Sequence, residues 1–229
     1  MSRPTVASPQ ATAPLPYPVL YRSPRFVVIA KPPGLPVHPG PRSPRSVEDI
    51  FPAISRRKDG PWLAHRLDAD TSGCLLIALR KQGLLEAQAC FQSGHVRKTY
   101  WAVVAGRPQK AAGEIDTPLA RQDTPRGWRM VASPCGQKAH TRWRVLASHE
   151  TQSWLELELL TGRTHQARVH CALLGCPILG DPIYGEAGPL LHLMSRRLEL
   201  QAGEEVIRAE AVPAPHMAKT LSYLGWREA

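Results

Sequence analysis

The chain lacks any uninterrupted apolar run near the roughly 18 to 20 residues that a membrane-spanning helix requires, which excludes a helical membrane span. It also lacks an apolar h-region at its start. Met1 to Pro18 carry Arg3 together with Pro4, Pro9, Pro14, Pro16 and Pro18, the composition of a disordered tail rather than of a secretory signal. No C-x-x-C pair occurs. The cysteines at 74, 90, 135, 171 and 176 are odd in number and widely spaced, which fits neither a disulfide framework nor a zinc ribbon. They suit a reducing, cytoplasmic compartment and the role of small buried thiols. Cys171 and Cys176 miss the i, i+4 spacing of one helical face, so no metal role is expected of them. Internal repeats, low-complexity segments beyond the tail, and nucleotide- or metal-binding patterns are missing as well.

Acidic residues are scarce too: 19 Asp and Glu against 29 Lys and Arg leave +10 on 229 residues (29 − 19). The excess is uneven. Residues 1–149 hold 22 basic and 9 acidic side chains (+13), and residues 150–229 hold 7 and 10 (−3). A basic half of this kind suggests a polyanion partner. Arg42, Arg45, Arg56, Arg57, Lys58, Arg97 and Lys98 alternate with apolar segments, which suits a folded surface gripping phosphates better than a basic tail. An ordinary solvated basic surface is the plain alternative.

At 25.2 kDa the chain can bury one or two cores. After the tail at 1–18 we expect a domain over 19–229 with an internal boundary near 106–113, where Arg107-Pro108 opens a Gly-, Pro- and Gln-containing connection. Arg25 to Lys31 reads as a strand stopped by Pro32-Pro33-Gly34, and Ser46 to Phe51 as a short helix capped by Ser46 with Asp49 in its first turn. Cys74 to Leu79 reads as a buried strand, Lys81 to Phe91 as a helix and Thr99 to Ala105 as a strand. Strand-like segments near 114–120, 127–133, 138–147 and 153–160 suggest a meander. Thr164 to Leu174 returns to helical spacing, with strands over 190–200 and 204–210 and a last helix from His216.

Two polar clusters can carry chemistry. His65-Arg-Leu-Asp-Ala-Asp-Thr-Ser-Gly73 packs an imidazole, a guanidinium, two carboxylates and two hydroxyls in front of a buried strand. A carboxylate there can serve as nucleophile or base, Thr71 and Ser72 can hold the turn through their hydroxyls, and Gly73 can supply a φ that other residues resist. An Asx-type turn with a surface salt bridge is the plain reading. Thr161-Gly-Arg-Thr-His-Gln-Ala-Arg-Val-His170 sits where a strand hands over to a helix, and it lacks the H-E-x-x-H arrangement of a zinc protease. Its helix start and its two arginines can meet phosphate or orient a carboxylate, or simply be solvated. Tyr100 and Trp101 must point to opposite faces of their strand, so one ring can be core while the other faces a ligand.

These segments, with Lys31-Pro-Pro-Gly-Leu-Pro-Val-His-Pro39, Lys98-Thr-Tyr100 and Leu179-Gly-Asp-Pro-Ile-Tyr-Gly185, stand in the order seen in RluA-type pseudouridine synthases, which the chain resembles over roughly residues 19–215. The resemblance implies an α+β fold: a mixed, mainly antiparallel sheet flanked by helices and split by an RNA-binding cleft. It implies an isomerase that converts specific uridines in structured rRNA or tRNA to pseudouridine after base flipping, with no cofactor and no metal. By that resemblance Asp68 is the catalytic carboxylate, Tyr100 the ring against the target base, and Arg168 the partner of Asp68. Arg66 fills the space vacated by the flipped nucleotide, while Asp70 takes no role. Lys31, His65, Arg163, His165 and the basic run Arg56, Arg57 and Lys58 are candidate RNA contacts.

The first 18 residues are too few for the small S4-type RNA-binding domain that many members carry, so substrate choice is expected to rest on loops of the catalytic domain, acting as a monomer. Two other classes fit parts of the pattern. A non-catalytic RNA-binding protein would need the basic surface but not an Asp–Arg pair, and a metal-dependent hydrolase would use His65, Asp68, Asp70 and His165.

Overall fold

The computed structural model describes residues 15–40, 43–125 and 127–228. The tail expectation therefore falls mostly outside the described residues; within them, Leu15 and Tyr17 pack half-buried against the core, and the Ala30 amide donates to the Pro18 carbonyl.

Strands β1 (Val19–Arg22) and β2 (Phe26–Lys31) form a hairpin. A 3-10 turn at Val47–Ile50 runs into α1 (Phe51–Ile54); Ser46 caps it as expected, and Asp49 completes a capping box with it. Then come β3 (Trp62–Leu63), β4 (Ser72–Ala78), α2 (Lys81–Ser93) and β5 (Arg97–Ala105). Next are β6 (Ala112–Asp116), β7 (Leu119–Thr124), β8 (Gly127–Ala132), β9 (His140–His149), β10 (Gln152–Leu159) and α3 (Gln166–Leu173). The chain finishes with β11 (Leu193–Ala202), β12 (Glu205–Glu210) and α4 (Pro215–Tyr223).

Ten strands make one sheet in the order β1-β2-β4-β11-β5-β10-β9-β6, with β12 on β11 and β3 on β4. Every ladder is antiparallel except the short pairing of β4 with β11. This is the mixed, mainly antiparallel α+β architecture expected. The meander is corrected: Pro118, which has no N–H for a ladder, splits the segment near 114–120, so β6 pairs with β9, and β7 and β8 form a separate hairpin. That hairpin rests on a small cluster of Leu119, Ala139 and Val169, with Met130 and Tyr184 at its edge.

The central strands are buried on both faces, which explains their unbroken apolar runs. Along β2, Val27 and Ile29 join one core cluster and Phe26 and Val28 the other; along β5, Tyr100 and Ala102 face the first and Trp101 and Val103 the second. Helices α2 and α4 contribute Ala87, Met217 and Leu221 to the second cluster, and α3 contributes Ala167 and Cys171 to the first. Trp101 packs edge-on against Trp154, with centroids 4.6 Å apart, under the Arg196 guanidinium. Cys74, Cys171 and Cys176 are buried as expected, whereas Cys135 is exposed because it sits in the loop after β8.

Two local features hold the loops that flank the cleft. Gly73 has φ +103°, and a methyl group there would overlap the Ser195 carbonyl across the parallel pairing. Lys31, expected to touch RNA, is instead 1% exposed, and its ammonium donates to the carbonyls of Pro32, Leu35 and Ala69 at 2.8, 2.7 and 2.7 Å. It ties the 32–35 loop to the Asp68 loop, so this candidate is corrected from ligand contact to internal brace.

Urea unfolding separates these two roles. Gly73→Ala, which adds a clash to an unfavourable φ, destabilises the fold far more than Gly94→Ala, where φ is +76° with open space around it and the cost is about 1–2 kcal/mol. Lys31→Met leaves three carbonyls without their donor and costs at least about 2 kcal/mol. An unchanged midpoint combined with weakened RNA binding would return Lys31 to the RNA surface.

Candidate functional site

A cleft of about 620 Å³ opens on the face of the sheet that carries Tyr100. One wall is the loop before β4, from Ala64 to Thr71; the facing wall runs from Leu159 to Arg168, off the end of β10 into α3; Gln88, Phe91 and Gln92 of α2 close one end. Tyr100 and Leu193, on adjacent strands, form the floor. The Asp68 turn closes through its backbone, Thr71 N–H to Asp68 C=O at 3.1 Å, rather than through the Thr71 and Ser72 hydroxyls expected to hold it. Asp68 lines the cleft and Asp70 does not.

Arg168 is 3% exposed at the first turns of α3, and its guanidinium grips a residue given no role by sequence. Nε and Nη2 donate to Asp181 at 2.7 and 2.6 Å, a bidentate fork on a carboxylate that is fully buried. The remaining nitrogen, Nη1, lies 4.0 Å from Oδ2 of Asp68. The expected pairing of Arg168 with Asp68 is thus present as a longer contact, with Asp181 as the principal partner. Burial opposes both charges of the fork. Their mutual hydrogen bonds and attraction nevertheless raise the Arg168 pKa, and with the Ile183 and Tyr184 amides hold Asp181 below the ordinary carboxylate range.

Asp181 also shapes the segment after it. Ile183 N–H and Tyr184 N–H donate to its Oδ1 at 2.9 and 3.2 Å, which fixes the turn that carries the Tyr184 ring. The Tyr184 hydroxyl accepts from Met130 N–H of β8 at 2.9 Å and lies 2.9 Å from Nδ1 of His165. A hydroxyl that already accepts has its own proton to give. Donating it to Nδ1 places the imidazole proton on Nε2, which faces Oδ2 of Asp68 at 4.0 Å. Burial lowers the His165 pKa against the attraction of Asp68, keeping the ring neutral. His165 reaches this place with φ +55°, a left-handed conformation rare outside glycine.

The loop between β10 and α3 is clamped by Gln166. Its carbonyl oxygen accepts from Thr161 Oγ1 and Arg163 N, and its amide donates to the His140 carbonyl and to Thr141 Oγ1. Arg163 is exposed on the rim, held to the Lys138 carbonyl at 2.9 Å, and Arg66 is exposed across from it. Lys98 adds a third rim cation and donates to the Thr161 carbonyl at 3.0 Å; burial, with Arg163 nearby, lowers its pKa to about 8.

His65 lines the cleft, but its Nε2 accepts from Leu76 N–H at 3.0 Å and its ring stacks on Phe91. Burial lowers its pKa to about 4, so this candidate RNA contact lines the cleft as a neutral ring. Arg56, Arg57 and Lys58 are exposed between α1 and β3, away from the cleft lining, with Arg57 paired to Asp59. Burial raises the pKa of Tyr100, and the nearby Asp68 charge adds to the effect, so its phenol stays protonated. Among the described residues no group of three or more His, Cys, Asp or Glu side chains is spaced to hold a metal. Sequence reasoning gave no role to Asp181 and Tyr184, which lie in a segment quoted for resemblance alone.

Comparison with known proteins agrees with this geometry. Residues 25–173 match the RNA pseudouridylate synthase family. An uncharacterized RNA pseudouridine synthase of Zymomonas mobilis is 42% identical over 153 residues, covering 66% of this chain and 70% of that protein. Another from Synechocystis is 34% identical over 231 residues, covering 93% and 70%. The solved structure of human RNA pseudouridylate synthase domain containing 4 superposes with a TM-score of 0.76 at 28% identity, over 90% of this chain and 92% of that one. With the family match covering residues 25–173 and the Synechocystis relative 34% identical over 93% of this chain, the chain belongs to the RNA pseudouridylate synthase family and is an isomerase of uridine in RNA.

Proposed function

We propose that the enzyme isomerises specific uridines of structured RNA, rRNA or tRNA, and that Asp68 is the carboxylate that acts on the flipped nucleotide. One observation carries the reading: Asp68 is the carboxylate lining a nucleoside-sized cleft, with a buried guanidinium and an imidazole each 4.0 Å from Oδ2. The C1′–N1 bond must break, the uracil turn, and a C1′–C5 bond form, with the C5 proton leaving and N1 gaining one. Asp68 serves either by attacking C1′ to give a sugar ester or by removing a sugar proton to give a glycal. Arg168, anchored by Asp181, holds the carboxylate in place and offsets the cost of its desolvation.

Tyr100 lies on the floor as a neutral ring against which the uracil stacks while detached. Flipping a nucleotide out of structured RNA costs a few kcal/mol. Rim cations Arg66, Lys98 and Arg163 offset this through phosphate contacts, with Arg66 entering the vacated space.

Release of tritium from C5-labelled RNA gives the first test. Asp68→Asn abolishes release while RNA affinity stays within a few-fold of wild type, and Asp70→Asn stays active. The reverse pattern would overturn the assignment. Asp181→Asn leaves Arg168 without its buried counter-charge and costs about 3 kcal/mol at neutral pH. Because the folded-state pKa of Asp181 is depressed, its contribution is complete above the unfolded value near 4 and is lost as pH falls further. The stability gap between wild type and Asp181→Asn therefore narrows below about pH 4, read from urea midpoints across pH. A gap independent of acid pH would show that Asp181 is not ionised in the fold.

A further inference from the structure

A second groove of about 510 Å³ lies beside the catalytic cleft, between the β7–β8 hairpin and the loop around Thr164. Arg66, Arg163 and Thr164 line both cavities, so the two are continuous across a shared rim. One wall of the groove is Trp128, 42% exposed, an unusual degree for the largest apolar side chain. Its indole stacks on the His165 imidazole, with centroids 5.1 Å apart and an interplanar angle of 19°, and the rest of its surface is turned to the groove. The Arg121 guanidinium stands 5.3 Å from the indole centroid. Among the described residues its ion-pair partner is Asp123, and both side chains are exposed, so it swings aside at little cost. The base of the groove is firm, because a side chain at Gly136 would overlap the backbone of Leu119.

An exposed indole, a mobile guanidinium plane and two further arginines, continuous with a site that takes a nucleotide, are the components of a stacking site for nucleic acid. We propose that this groove holds an unpaired base of the substrate RNA, one that neighbours the target uridine, with Trp128 and Arg121 as its stacking partners. Arg66 and Arg163 hold the phosphates between the two nucleotides. The groove therefore contributes to substrate choice by requiring single-stranded RNA on one side of the target. The inference rests on the reading of the first cleft as the uridine site. It also couples binding to chemistry: the indole that meets the base backs onto the imidazole that faces Asp68.

The test is a binding measurement that needs no turnover. In an Asp68→Asn background, fluorescence anisotropy gives the affinity for a labelled stem-loop whose loop holds a single uridine as the target, and for the same RNA with one abasic residue moved through the other loop positions. One abasic position beside the target weakens binding about five-fold or more, the low end of base–aromatic stacking. That position-specific loss disappears in Trp128→Ala, persists in Trp128→Phe, and shrinks in Arg121→Gln, an exposed change that spares the fold. An abasic profile identical in all variants, or flat in the parent protein, overturns the proposal. Since no product is measured, failure of the slot and failure of Asp68 as the catalytic group are read from separate experiments.

Discussion

The ion pair of Arg168 with Asp181 is the constraint on which the site depends. Both groups are removed from water, a situation that costs several kcal/mol per charge and is tolerated only when every donor and acceptor is matched. Here the matching is close to complete: two guanidinium bonds and two backbone amides satisfy the carboxylate, and the one guanidinium nitrogen outside the fork is turned toward Asp68. The pair thus performs three tasks. It fixes the start of α3, it shapes the turn that presents Tyr184, and it delivers a fixed positive charge to the cleft. A hydrophobic pair of similar volume could replace its contribution to stability, but not the charge.

The second constraint is parity along the central strands. Alternation sends Tyr100 to the cleft and Trp101 to the opposite core from neighbouring positions, so the floor of the site is part of the most buried element of the molecule. The strand order inserts β11 between β4 and β5, which brings the Asp68 loop, the Tyr100 strand and the C-terminal segment onto one platform. The family match ends at residue 173, yet Asp181, Tyr184 and β11 lie beyond it and complete the site. Tyr100 stands on β5 and Arg168 on α3, while the loops that carry Asp68, His165 and Tyr184 are braced by Lys31, Gln166 and Asp181.

Much of this was legible in the sequence. Continuous apolar runs marked β2, β4 and β5, Ser46 and Asp49 marked the turn before α1, and the polar cluster from His65 to Gly73 marked a loop that lines the cleft. Lys31 was misjudged because its partners are backbone carbonyls, which carry no residue-type signature, so a lysine in a motif segment looks like a ligand contact until the backbone is folded around it. His65 does line the cleft, and only its bond to the Leu76 amide went unread. Asp181 escaped because its partner lies thirteen residues upstream on a helix, beyond any local periodicity. Pro118 was visible, but apolar content outweighed its missing donor, and two strands were merged.

The β7–β8 hairpin is hydrogen-bonded to itself rather than to the ten-stranded sheet. An isolated two-stranded ribbon is marginal in water, so its order is borrowed from the small apolar cluster beneath it and from the Tyr184 contact with Met130. Its opening free energy therefore lies well below that of the whole domain, and its amides exchange with solvent long before those of the central strands. Since the same ribbon carries the indole stacked on His165, each excursion also releases that imidazole. The order of this ribbon and the packing around His165, which faces Asp68, are therefore set by the same few contacts.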